Sequence, residues 1–92
     1  PEVERDLEEA YGWYEGQKEG LGEEFFARVE YCFETISHFP EIHPVVYQGY
    51  RRGLVQRFPY AVFYEFDGVE VVINAVFNTY RDPIEWRERL SR

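Results

Sequence analysis

The apolar residues in the first forty positions follow the period of a helix. In the first segment they recur at spacings of three or four with acidic residues between them: Val3, Leu7, Ala10, Tyr11 and Tyr14. After Gly20-Leu21-Gly22 a second stripe repeats this spacing: Phe25, Val29, Cys32, Phe33 and Ile36. The stripes predict two amphipathic helices, and Pro40 ends the second because proline cannot continue the hydrogen-bond ladder. So short a connector predicts an antiparallel helical hairpin over residues 1–37.

From Tyr50 onward the pattern changes to short runs of β-branched and aromatic residues. We predict strands over residues 51–58, 60–66 and 69–77. Residues 41–49 have few periodic apolar positions and are predicted to form a loop. Asp67-Gly68 is typical of a two-residue type I′ turn, which needs positive φ at both positions. An antiparallel sheet over residues 50–78 is therefore expected.

A two-residue turn would pair Phe66 with Val69 and fix which side chains share a face. One face is then apolar and should pack on the helices: Tyr60, Val62, Tyr64, Phe66, Val69, Val71, Ile73, Ala75 and Phe77. The other face is mixed and is where we expect a binding surface: Ala61, Phe63, Glu65, Glu70, Val72, Asn74, Val76 and Asn78.

The last eleven residues begin with a helix-start signal. Asp82 is a favoured N-cap residue, and Pro83 suits the first helical position. We predict a short terminal helix over residues 83–90 that docks through Ile84, Trp86 and Leu90. The chain is then a single α+β domain, residues 1–92, with a helical hairpin packed on an antiparallel sheet.

Charge is divided unevenly between the two halves of the chain. Residues 1–48 contain 12 acidic and 3 basic residues, a net of −9, whereas residues 49–92 contain 6 acidic and 7 basic residues, a net of +1. Nucleic-acid affinity depends on neutralising phosphates, so a broad nucleic-acid footprint is not expected. Either the acidic residues simply solvate the two helices, or only the second half of the chain meets an anionic partner or a basic protein segment.

Several common chemistries have no matching motif. The single cysteine, Cys32, cannot form an internal disulfide, which fits a reducing cytoplasm. No apolar run approaches the roughly 18 residues that cross a bilayer, so no membrane association is expected. The nearest ligand grouping, His38, Glu41 and His43, lies beside a proline in the predicted loop. We therefore expect neither a metal nor another cofactor.

Basic residues are the remaining candidates for chemistry. Arg51, Arg52 and Arg57 come from the first predicted strand and Arg81 from the end of the third, so the sheet could bring them together. Such a cluster could clamp a phosphate or a carboxylate, or it could pair with acids of a partner or of the helices. Tyr80 beside Arg81 could stack on a base.

Three segments in this order resemble the RelE/ParE superfamily of type II toxin–antitoxin toxins. The link Gly20-Leu21-Gly22-Glu23-Glu24-Phe25 resembles the family's helical hairpin. The run Arg57-Phe58-Pro59-Tyr60 through Tyr64 is similar to its arginine, Pro-Tyr and following tyrosine. The run Asn78-Thr79-Tyr80-Arg81-Asp82-Pro83 through Trp86 is similar to its closing Arg-Asp-Pro-x-x-Trp motif. The match is best with the ParE branch, also described as plasmid-stabilisation proteins.

The resemblance implies a cytoplasmic toxin that binds a protein, with DNA gyrase as the expected target, until a cognate antitoxin neutralises it. It also implies a strand upstream of Pro1 and a higher-order complex with the antitoxin. Candidate target contacts form one set: Arg51, Arg52, Arg57, Asn78, Tyr80 and Arg81. Candidate antitoxin contacts are Trp13, Tyr14 and Phe63, although Trp13 could equally be a partly buried helix residue.

Two alternatives follow from the same resemblance. The first is a RelE-like endonuclease that cleaves mRNA on the ribosome, with Arg57, Arg81 and Tyr80 in the active site. Asn78 and Tyr80 stand where many ParE-like sequences have histidine and arginine, and the only lysine, Lys18, is in the first helix. Because asparagine cannot exchange protons near neutral pH, catalysis is disfavoured. The second is an inactive member that serves as an interaction module.

Overall fold

The computed structural model describes residues 2–91. Two helices come first, α1 (Glu2–Gln17) and α2 (Leu21–His38). Four strands follow, β1 (Val45–Tyr47), β2 (Tyr50–Leu54), β3 (Tyr60–Phe66) and β4 (Val71–Asn78), and helix α3 (Pro83–Leu90) ends the chain. The strands form one antiparallel sheet in the order β1-β2-β3-β4. The predicted α+β architecture is confirmed.

The two helices form the predicted hairpin, and a side chain of one stabilises the start of the other. The Glu15 carboxylate accepts hydrogen bonds from the Gly20 and Gly22 amides at 2.9 and 2.8 Å. These amides belong to the first turn of α2, where backbone N–H groups have no partner within the helix. Glycine fits position 22 because a Cβ there would lie 2.8 Å from the Tyr11 ring. The hydrogen bonds to Glu15 therefore fix the conformation of this short connector.

The sheet contains a strand that the sequence pattern missed. Val45–Tyr47 pairs with β2 inside the segment predicted as a loop, so that prediction was wrong. Gln48 and Gly49 connect these strands, and both have positive φ, as a tight hairpin turn requires. Strand β2 is also shorter than predicted, ending at Leu54, because the chain turns before Pro59 with Arg57 at a φ of 70°.

The predicted register between β3 and β4 was wrong in two respects. The turn has four residues, since Phe66 pairs with Val71. The Asp67 carboxylate stabilises this turn by accepting hydrogen bonds from the Val69 and Glu70 amides at 2.8 and 2.7 Å. In addition, Tyr64 pairs with Ile73 while Phe63 pairs with Ala75, so Asn74 is an extra, bulged residue.

The bulge moves part of β4 to the face opposite the predicted one. Val76 faces the helical hairpin, while Ala75 and Phe77 face α3. The first core layer joins α1 and α2 to the sheet: Ala10, Tyr14, Phe25, Val29, Cys32, Ile36, Val55, Val62, Tyr64 and Val76. The second layer lies under α3: Ala61, Phe63, Ala75, Phe77, Trp86 and Leu90. The sheet is therefore packed on both faces, and the expected open, mixed face is covered over much of β3 and β4.

Helix α3 begins as predicted, with the Asp82 side chain accepting the Ile84 amide at 3.0 Å and Pro83 in the first turn. Trp86 and Leu90 are buried, and the Trp86 ring stacks on Phe63 at a centroid distance of 4.7 Å. Ile84 is 58% exposed, so its predicted docking role was wrong. In the part of the chain described, no helix is long and apolar enough to span a membrane.

Candidate functional site

The arginines of β2 point to opposite faces of the sheet. Arg51 pairs in register with Tyr64, and its guanidinium donates to the backbone oxygen of His43 at 2.6 Å and, at 3.3 Å, to that of Glu41. Arg52 pairs with Phe63 and lies on the α3 face. Because neighbouring side chains of a strand alternate, these two cannot act at one place. Arg51 serves to hold the loop after α2.

Arg57 is also separate from the other arginines. Its exposed guanidinium lies 3.8 Å from the Glu24 carboxylate of α2. An exposed pair at this distance contributes little to stability. The predicted grouping of Arg51, Arg52, Arg57 and Arg81 is therefore not formed.

Three arginines do meet at a cavity of about 250 Å³ between the sheet and α3. Two of them, Arg52 and Arg81, were predicted candidates, and the third is Arg87 of α3. The other lining residues form the floor and the remaining wall: Ala61, Phe63, Phe77, Asn78, Thr79, Pro83 and Trp86. We call this the arginine cavity. Arg87 was missed because its place in the cavity lining depends on how α3 docks, which no local pattern shows.

Of the two polar candidates near Arg81, Asn78 lines the arginine cavity and Tyr80 does not. Asn78 lines the cavity, and its side-chain oxygen accepts the Tyr80 amide at 2.8 Å. Tyr80 is 86% exposed and does not line the cavity. None of the lining residues is a histidine, lysine or carboxylic acid. The cavity thus has groups that could bind an anion but none suited to proton transfer near neutral pH.

Of the three predicted antitoxin contacts, only Trp13 is on the surface. Trp13 is 61% exposed and meets Tyr14 edge-on at 5.2 Å, whereas Tyr14 is 8% and Phe63 1% exposed. Tyr14 and Phe63 are core residues because they lie under the sheet and under α3, and neither can anchor a partner in this conformation. Trp13 lines a groove of about 250 Å³ between α1 and β4, which also contains Glu9.

A second groove, of about 470 Å³, lies on the helical hairpin. Its lining is mainly apolar with two acidic residues: Leu7, Glu23, Phe26, Ala27, Val29, Glu30 and Phe33. Phe26 is partly exposed there and packs on Tyr11 at 4.7 Å. We call this the hairpin groove.

Two titratable groups outside these surfaces, the buried Cys32 and the half-buried His43, are affected by burial. Burial raises the pKa of the Cys32 thiol to about 11. Burial also lowers the pKa of His43, whose buried Nε2 has no hydrogen-bond partner among residues 2–91. No cluster of three potential metal ligands occurs within the described residues, and His38, Glu41 and His43 do not form one.

Residues 1–83 match the family model described as ParE toxin of type II toxin-antitoxin system, parDE. The match covers most of the chain. This chain belongs to the ParE toxin family. No curated protein matches it.

Two of the motifs on which the resemblance was based occupy defined places in the fold of this ParE-family chain. The Gly-Leu-Gly link begins α2, and the run from Asn78 to Pro83 joins β4 to α3. That second run borders the arginine cavity. The ParE closing segment is therefore also the segment that shapes its main basic site.

Proposed function

We propose that this ParE-family protein is a toxin that acts in the cytoplasm by binding a protein target, DNA gyrase, and that a cognate antitoxin neutralises it. The residues that line the arginine cavity are the observation that favours binding to a protein over catalysis. Arginine, asparagine and threonine can hold a partner, but none of them exchanges protons readily near neutral pH. This supports binding over RNA cleavage.

Target contact is assigned to the rim between β4 and α3. Tyr80 is almost fully exposed there, and the exposed Arg81 side chain lies beside it. Exposed tyrosine and arginine side chains are frequent energetic centres of protein interfaces. Arg51 and Arg57 contribute less, since the first holds backbone carbonyls and the second lies next to Glu24.

Antitoxin contact is assigned to the hairpin groove and to Trp13. The groove is apolar with Glu23 and Glu30 at its sides, and the first half of the chain has a net charge of −9. An amphipathic segment with basic residues next to its apolar side chains complements such a surface. The antitoxin would fold as it binds, and its ordering would reduce the net affinity.

The deciding experiment is inducible expression followed by purified assays. We expect filamentous cells with damaged DNA, and inhibition of plasmid supercoiling by purified gyrase. Incubation with translating ribosomes should leave the mRNA intact. A rapid halt of translation with cleaved mRNA would instead establish the ribonuclease alternative, and harmless expression would favour the inactive interaction module.

Tyr80→Ala provides the matched variant for the gyrase assay. This exposed side chain has no packing role, so folding should be unchanged while inhibition weakens. Tyr31→Ala, an equally simple truncation of an exposed tyrosine on α2, should inhibit as the unmodified protein does. Equal inhibition by both variants would remove Tyr80 from the target surface.

A further inference from the structure

The arginine cavity concentrates positive charge in a strongly acidic protein. Arg52 comes from β2, Arg81 from the segment after β4 and Arg87 from α3, and all three line the same cavity. The whole chain has a net charge of −8, yet no carboxylate lines this cavity. Within residues 2–91, neither Arg52 nor Arg87 has a carboxylate oxygen within 4.0 Å, and Arg81 lies 4.0 Å from Glu85 in an exposed pair. The positive charge is largely left for a ligand.

Aromatic rings hold two of the guanidinium groups in place. The central carbon of Arg87 lies 5.2 Å from the ring centre of Trp86 and 5.7 Å from that of Tyr47. That of Arg81 lies 5.6 Å from the ring centre of Phe77. Contact with a ring leaves the N–H groups at the edge of the guanidinium plane free to donate. These arginines are thus positioned before any ligand arrives, which lowers the entropy cost of binding.

The cavity offers further donors and a limited volume. The side-chain oxygen of Asn78 already accepts the Tyr80 amide, so its NH₂ group remains available to donate. A volume of about 250 Å³ corresponds to roughly eight water molecules at their liquid volume, which suits one small anionic group. The net charge of −8 on the whole chain disfavours a long polyanion.

We propose that the arginine cavity is a binding site for a phosphate monoester. Three guanidinium groups match a phosphate dianion, with its three terminal oxygens, better than a carboxylate with one charge and two oxygens. The ligand is a free small molecule that carries one terminal phosphate. This site does not depend on the proposed action on gyrase.

The test uses Trp86, which lines the cavity, as a fluorescent reporter in Trp13→Phe protein. Glycerol phosphate and adenosine monophosphate are titrated at constant ionic strength, with sodium acetate as the carboxylate probe. We expect saturable changes with both phosphates and none with acetate over the same range. Tighter binding of adenosine monophosphate would identify a nucleotide as the source, and equal binding would identify the phosphate group alone. Either result supports the site.

Charge-matched variants locate the ligand. Arg52→Gln and Arg87→Gln should each weaken binding at least about tenfold, since each removes a charge-assisted hydrogen bond. Arg57→Gln removes the same charge outside the cavity and should bind as well as the parent. Binding should also weaken between pH 7.5 and pH 5, because the second pKa of a phosphate monoester is about 6.

Three results would overturn the proposal. The first is no saturable change with either phosphate in protein whose circular dichroism shows it to be folded. The second is acetate binding as tightly as the phosphates. The third is equal weakening by Arg57→Gln and by the cavity variants, which would indicate a general charge effect.

Discussion

Asp6 and Arg89 lie 83 positions apart in the chain and form a bidentate ion pair, with both nitrogen–oxygen distances at 2.7 Å. Their side chains are only 12% and 11% exposed. Asp6 also accepts the Val76 amide at 3.0 Å, and Arg89 donates to the Asn74 carbonyl at 3.3 Å. The pair thus connects α1 and α3 across the open edge of β4, at the bulge.

Asp6→Asn should destabilise the protein by about 2 kcal/mol, because it breaks the buried pair. The cost is below that of a fully unpaired buried charge, since the exposed Glu2 carboxylate still lies 3.0 Å from the Arg89 Nε atom. The free energy of unfolding in urea measures this. Glu4→Gln removes an exposed acid from the same helix and should change it by less than about 0.5 kcal/mol. Equal effects of both substitutions would mean that the pair has no special role.

Glu15→Ala should cost about 1 kcal/mol of folding stability, since the Gly20 and Gly22 amides lose their acceptor at the positive end of α2. Urea unfolding again measures the change. Glu15→Gln retains an acceptor and should recover part of the loss. Glu19→Ala, in the exposed connector nearby, is the control and should be close to neutral.

His43 should make the fold sensitive to mild acid. Burial lowers its pKa in the folded state below the ordinary value of 6.5, so its neutral form is favoured there. The resulting stability is fully present above about pH 6.5 and is lost as the pH falls through the lowered pKa. Unfolding at pH 7.5 and pH 5 should therefore show a smaller decrease in His43→Leu than in the parent. His38→Gln, at an exposed histidine, should keep the decrease of the parent.

Cys32 should react slowly with thiol reagents while the protein is folded. Burial raises its pKa from 9.0 to about 11, so the thiolate fraction near pH 8 falls roughly a hundredfold. Alkylation by iodoacetamide should be slower than in urea-unfolded protein by at least this factor. Rapid alkylation under native conditions would show that α2 opens readily from the sheet.

Trp13→Ala should weaken antitoxin binding by about 2 kcal/mol, the size typical of an exposed aromatic anchor. Titration calorimetry with the cognate antitoxin provides the measurement. The free energy of unfolding should change little, because Trp13 is mostly exposed. Unchanged affinity would exclude this anchor and leave the hairpin groove as the candidate surface.

The helices, their connector and the start of α3 could be predicted because their signals are local. Periodic apolar residues, Gly20, Pro40 and the Asp82-Pro83 pair act within a few positions of themselves. The bulge at Asn74 could not be predicted, because it coincides with contacts from Asp6 and Arg89, which are distant in sequence. The four-residue turn depends on the Asp67 carboxylate accepting two amides, a choice that the Asp-Gly pair alone does not reveal.

The candidate site was predicted only in part for the same reason. Arg52 and Arg81 were identified, but Arg51 was grouped with them although neighbouring side chains of a strand alternate. Arg57 was grouped with them because the predicted strand continued to residue 58, whereas β2 ends at Leu54. Phe63 was assigned to an exposed face that α3 covers. Arg87 could be assigned to the site only from the structure, in which Trp86 packs on Phe63 and places α3 against the sheet.

The single extra residue in β4 also limits how this protein can evolve. Deleting Asn74 would rotate either Val71–Ile73 or Ala75–Asn78 by one position and exchange residues between the two core layers. A point substitution in β4 leaves unchanged which of its side chains face each core layer, whereas a change in its length does not. We therefore expect length variation among functional descendants of this chain to be concentrated in the 67–70 turn and the 39–44 loop.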